Sequence, residues 1–188
     1  SGVTGAEISV EITELDDWMV DEEIYTGLRS FSRGGVRIDP SLTRHRDVIV
    51  TGLDWLPIKN GQVALAVHSP ELYFTKVNIC QALRRQGEGT FVRTGPVREL
   101  PGTSILIGGV EHLYHWLIDY LPRLILAQRL MRRLPRILIN RPGRIQLETL
   151  HLLGIREWEE VSEHESVRCE DLWIPSMLAR ITVPHPAV

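Results

Sequence analysis

Cysteine is scarce in this chain. Its 188 residues include 2, Cys80 and Cys169, far apart and in no Cys-x-x-Cys arrangement. That excludes a disulfide framework and gives no support to a structural zinc site. Two buried, reduced thiols are expected instead, which fits a cytoplasmic protein. Charge of one sign is also lacking. With 21 Lys+Arg against 24 Asp+Glu the formal net charge is -3, so neither nucleic-acid binding nor a membrane-surface role is expected. Apolar runs are broken by charge within about ten residues, short of a membrane span, so no transmembrane segment is expected. The sequence has no Asn-x-Ser/Thr acceptor, no internal repeat and no low-complexity tract.

What is present reads as an ordinary globular protein, with 43% hydrophobic and 24% charged residues. Ser1-Gly2 resembles what removal of a tag leaves, and Ile181–Val188 carries no capping signal. A piece of a longer protein is the expectation.

The pattern changes near Pro101. Before it, short β-like runs (8–12, 47–51, 62–67 and 72–77) alternate with breakers such as Gly34-Gly35, Asp39-Pro40 and Ser69-Pro70. Asn60-Gly61 between Leu56-Pro57-Ile58 and Val63-Ala64-Leu65 is a hairpin signal. Residues 1–100 therefore read as an antiparallel β-rich N-terminal module, with one charged helical stretch at 78–86. After Pro101, strands at 104–108, 136–140, 159–161 and 171–175 alternate with helices at 110–133 and 144–153, the second closed by Gly154. That alternation predicts an α/β fold for 101–188, a Rossmann-like parallel sheet with helices on its faces.

The chemistry concentrates in the first of these helices. At about 100° per residue, His112, His115, Asp119 and Arg123 fall in one stripe about 80° wide. Leu113, Trp116, Leu117, Tyr120 and Leu124 lie to one side and are expected to face the core. Pro122 cannot donate to the carbonyl of Ile118, so the helix should kink there or restart. His115 and Asp119 stand one turn apart, which lets a carboxylate fix the imidazole tautomer and raise its basicity. Such a pair suits a general base, and it equally suits a structural bridge. A metal held by His112, His115 and Asp119 is a third option, disfavoured by the His-x-x-His spacing and the missing zincin glutamate.

The run Glu111-His-Leu-Tyr-His-Trp-Leu-Ile-Asp-Tyr-Leu-Pro-Arg-Leu124 resembles the signature of glycosyltransferase family 61. In that signature an aromatic-His-Trp-Leu, an acidic residue and Leu-Pro-Arg-Leu follow a Gly-rich strand end. Ile137-Leu-Ile-Asn-Arg-Pro-Gly143, Gln146-x-Glu148-Thr-Leu-x-x-Leu-Gly-Ile155 and Leu172-Trp-Ile-Pro-Ser176 continue in the family's order, so the likeness spans roughly residues 90–180. It implies half of a GT-B fold, two Rossmann-like domains facing across a cleft, with the donor-binding domain missing here. It further implies an inverting transfer from a nucleotide-sugar to a glycan acceptor, with no cofactor and no metal. The absence of Asp-x-Asp agrees with that. His115 becomes the base and Asp119 its orienter, with His112, Tyr114 and Arg123 lining the acceptor side. Family members often carry Asn where His112 stands. The alternative is a non-catalytic carbohydrate-binding or subunit-interaction module, as a homodimer or with a partner subunit.

Three further features carry two readings each. Arg129, Arg132, Arg133, Arg136, Arg141 and Arg144 can guide an anionic substrate or simply solvate a helix end. Trp18, Trp55, Trp116, Trp158 and Trp173 can stack on sugars, although core packing is the commoner role. Gly108-Gly109 can cradle an anion or serve as a tight strand-to-helix turn.

Overall fold

The computed structural model describes residues 6–13, 22–25, 31–33, 36–38, 40–64, 81–108, 113–176, 179–180 and 183–184. The expected strand at 72–77, Cys80, Trp18, Gly109 and His112 lie outside them.

Strands dominate. In chain order they are β1 (Glu7–Thr13), β2 (Glu22–Tyr25), β3 (Phe31–Arg33), β4 (Val36–Ile38), β5 (Ser41–Thr51), β6 (Pro57–Lys59) and β7 (Gln62–Ala64). There follow β8 (Leu83–Gln86), β9 (Gly89–Arg93), β10 (Val97–Leu106), β11 (Arg136–Ile139), β12 (Trp158–Glu160), β13 (Ser166–Pro175), β14 (Ala179–Arg180) and β15 (Val183–Pro184). Helix is confined, among the described residues, to 113–130 and to α3 (Arg144–Leu152). The first stretch comprises α1 (Leu113–His115), a π-helical turn (Trp116–Tyr120) and α2 (Leu121–Leu130).

One 11-stranded sheet runs β12-β11-β10-β13-β5-β6-β7-β1-β9-β8, with β2 also on β5. β12, β11, β10 and β13 are parallel. β5 is antiparallel to β13 over nearly its whole length, and β6, β7, β9 and β8 continue with mostly antiparallel pairing. The Rossmann-like α/β expectation, half of a GT-B fold, is therefore overturned: the sheet is mixed and strand-rich. Parallel pairing is local to four strands. Of the strands before residue 100, β1, β2, β6, β7, β8 and β9 join the same sheet through β5, whose Leu42–Thr51 edge pairs with β13, while β3 and β4 pair with each other in a separate two-stranded sheet. Pro101 and Gly102, where the sequence changes character, form a bulge inside β10, with Gly102 at φ 79° donating its N–H to Glu170.

Local signals decided several elements. Asn60 and Gly61 both take positive φ (51° and 75°) and close the β6–β7 hairpin, as a type I′ turn requires. The helical stretch expected at 78–86 is corrected for its described part: Leu83–Gln86 is β8. Gly87 (φ 61°) and Glu88 turn it back onto β9. Gly154 (φ 76°) ends α3 in a Schellman motif, its N–H on the His151 carbonyl and that of Ile155 on Leu150.

The period of two along β10, β11 and β13 splits the core. Ile105, Ile107, Ile137, Ile139 and Trp173 face the helices and pack with Trp116, Tyr120, Leu124 and Leu150. Leu106, Leu138, Leu172 and Ile174 face the other way, with Val48, Val50, Trp55 and Cys169. Each such large apolar side chain contributes about 1.5–3 kcal/mol by leaving water. Burial pushes the Cys169 thiol up to about 12, so it stays protonated and unreactive. Trp55, Trp116 and Trp173 are core residues. Among the described residues no helix is long and apolar enough to cross a membrane.

Gly108 closes β10 at φ 120°, and a Cβ there would collide with the ring of Tyr120. Gly102 also has positive φ, but its Cβ would meet open space. Gly108→Ala should lower the stability in urea by about 2–4 kcal/mol, adding overpacking to backbone strain. Gly102→Ala should cost about 1 kcal/mol, from the backbone term alone. Equal losses would show that the Tyr120 contact constrains nothing.

Candidate functional site

The site is built on the helical stretch that follows β10. Pro122 shapes it. A proline at this position has no N–H for the Ile118 carbonyl, and its ring crowds that turn. The chain responds by widening the preceding turn: the Leu121 N–H reaches back five residues to the Trp116 carbonyl. α2 then resumes with Pro122 in its first turn. The kink or restart expected at Pro122 takes the form of this π turn.

The faces of the helix differ from the simple wheel. Trp116, Tyr120 and Leu124 are buried as expected. Leu113 and Leu117 are not, being 47% and 43% exposed, and Tyr114 beside them is 46% exposed. The wheel failed because a π turn advances each residue by a smaller angle than an α turn does. Trp116 is fixed from a second side, donating its indole N–H to Thr149 of α3 at 2.8 Å.

His115 and Asp119 do meet. Nδ1 of His115 lies 2.7 Å from Oδ2 of Asp119, with side-chain exposures of 33% and 12%. An ionised carboxylate only accepts, so the shared proton sits on Nδ1. The neutral ring then carries its lone pair on Nε2, the nitrogen turned away from Asp119. Tyr114 packs edge-on against the imidazole at 5.6 Å, and Tyr120 lies at 6.4 Å. His112 lies outside the described residues, so the His112–His115–Asp119 metal option has no geometry to describe.

Arg123 requires a correction. It was expected to line the acceptor side, yet it is 1% exposed. Nη1 donates to the Ile107 carbonyl at 3.0 Å and Nε to the Pro175 carbonyl at 3.0 Å. Those carbonyls stand at the C-terminal ends of neighbouring parallel strands, β10 and β13. Arg123 thus ties the helix across two strand ends and cannot reach a ligand from there. Sequence reasoning missed this role, because nothing in the Leu-Pro-Arg-Leu spacing distinguishes a buried guanidinium from a surface one.

Burial lowers the Arg123 pKa to about 10, while Tyr120 and Asp119 act in the opposite direction. The side chain stays charged at neutral pH. Its folded pKa lies below the unfolded value, so its contribution to stability rises as the pH climbs above about 10. At neutral pH the buried charge is a cost, offset by the two carbonyl bonds and by Asp119 nearby. Asp119 is thereby placed between an imidazole and a guanidinium on successive turns.

Two surface hollows lie elsewhere. One of about 560 Å³ is lined by residues between Gln128 and Glu157. The other, about 620 Å³, is lined by Leu53, Arg93, Thr94, Glu163 and His164 among others. Neither includes His115 or Asp119. The His115 side chain, one third exposed, follows the carboxyl end of β10, the end of a parallel strand pair where ligands commonly bind.

No protein-family model, no curated protein and no solved structure matches this chain.

Arg123→Met should destabilise the fold by roughly 2–4 kcal/mol in urea unfolding, because two buried strand-end carbonyls lose their donors. A change below about 0.5 kcal/mol, as a neutral surface substitution gives, would refute the clamp.

Proposed function

We propose that this chain is the acceptor-side part of a glycosyltransferase of the family 61 kind, with His115 as general base and Asp119 as its orienter. Nε2 of His115 takes the proton of an acceptor hydroxyl as that oxygen attacks the anomeric carbon of a nucleotide-sugar. The new carbon–oxygen bond forms as the bond to the nucleotide's phosphate breaks, and the configuration inverts. Asp119 keeps Nδ1 protonated and stabilises the imidazolium that results. Tyr114, half exposed at the edge of the imidazole, is placed to stack on the acceptor ring. Donor binding falls to a part of the protein outside these residues. The cytoplasm is the compartment, in keeping with a free, buried Cys169.

A single observation supports this reading above the rest: the 2.7 Å bond between His115 and Asp119, with a third of the imidazole side chain left open. A purely structural bridge would have no need of that opening. The signature motif adds to the reading, while the mixed sheet lends it nothing.

A second reading is favoured by Leu113, Tyr114 and Leu117, which stand exposed beside the pair. Such side chains suit a carbohydrate- or subunit-binding module without chemistry, including a homodimer. In that case His115 is dispensable and Tyr114 is not.

His115→Ala should cut transfer from nucleotide-sugars to glycan acceptors, measured on the full-length protein, by about a hundredfold or more. Asp119→Asn should cost about tenfold to a thousandfold. Transfer within a few-fold of the parent in His115→Ala, together with loss of glycan binding in Tyr114→Ala, would transfer the case to the binding module.

A further inference from the structure

The segment 129–156 carries seven Arg and one Glu, in a chain with 21 Lys+Arg against 24 Asp+Glu. The basic charge is therefore local. Part of it converges on the hollow of about 560 Å³, which Arg132, Arg133 and Arg156 line above a floor that includes Leu134, Ile137 and Ile155. This hollow opens where α2 and α3 end and where β11 and β12 begin. His115 follows the far end of β10, so the two places lie at opposite ends of the parallel strands.

The ordinary explanation for arginines beside helix C-termini is that they cap carbonyls. Here other donors already do so. Met131 N–H bonds to Ala127, Leu153 N–H to Thr149, Gly154 N–H to His151 and Ile155 N–H to Leu150. The Gln128 side chain donates to the Leu153 carbonyl at 3.1 Å. Among the described residues, no hydrogen bond or ion pair occupies Arg132, Arg133 or Arg156. By contrast, Arg136 pairs with Glu159 and Arg144 with Glu148.

We propose that this hollow is a binding site for a small phosphate-bearing ligand, held by Arg132, Arg133 and Arg156 and separate from the His115–Asp119 pair. Guanidinium forks match phosphate oxygens two at a time, and three of them around one concavity suit a ligand with several such oxygens. A hollow of this size accepts a small molecule. Glu157 also lines the hollow and opposes an anion there, but the three guanidinium groups outnumber it.

Inorganic pyrophosphate is the probe, titrated calorimetrically into the chain at low salt. Saturable binding at one site is expected. Arg132→Gln and Arg156→Gln should each weaken it by about tenfold. Both side chains are exposed, so the variants should fold. Arg141→Gln removes the same charge outside the hollow and should change affinity less than about twofold, by screening. Three results would overturn the proposal: no saturable binding at millimolar probe, a loss in Arg141→Gln equal to the others, or attachment to anionic phospholipid vesicles that pyrophosphate does not displace.

Discussion

The placement of the helix that carries His115 and Asp119 depends on one buried cation. Arg123 reaches from the second half of the helix to the carbonyls of Ile107 and Pro175, at the ends of two adjacent parallel strands. Strand ends have carbonyls to satisfy and helices have side chains to offer, but a 1% exposed guanidinium is a costly way to join them. The return on that cost is position. The helix is tied to both strand ends, with Trp116 seated against Thr149 and Tyr120 packed over Gly108. The pair proposed as base and orienter needs that kind of support more than it needs strength of its own.

Pro122 contributes the second constraint. By forcing a π turn just ahead of itself, it rotates the N-terminal turns of the helix relative to the rest. Leu113, Tyr114 and Leu117 are exposed as a result, while His115 stays at the rim and Asp119 sinks below it. The result is a one-third exposed imidazole over a nearly covered carboxylate.

Much of this was legible in the residues, and what was not has a physical cause. Local turn chemistry read correctly: Asn60-Gly61 makes its hairpin and Gly154 ends its helix, because positive φ is a property of the residue itself. The strands at 104–108, 136–140 and 171–175 correspond to parts of β10, β11 and β13, since apolar runs between breakers declare themselves. Sheet architecture did not read. Periodicity shows which side of a strand is apolar and is silent about which edge meets which, so the long pairing of β5 with β13 had no signal. Arg123 misled for a related reason, because its burial comes from strands distant in the chain. The pairing of His115 with Asp119 was visible because it is local, within one turn of helix.

The proposed chemistry thus rests on a proton held on one side of one ring. Nitrogen NMR of the histidine side chains of the ¹⁵N-labelled chain at neutral pH reads it directly. The neutral His115 ring should appear as the Nδ1–H tautomer, and Asp119→Asn should weaken that preference. A neutral ring protonated on Nε2 in the parent protein would mean that Asp119 does not hold it, and neither base nor orienter would survive.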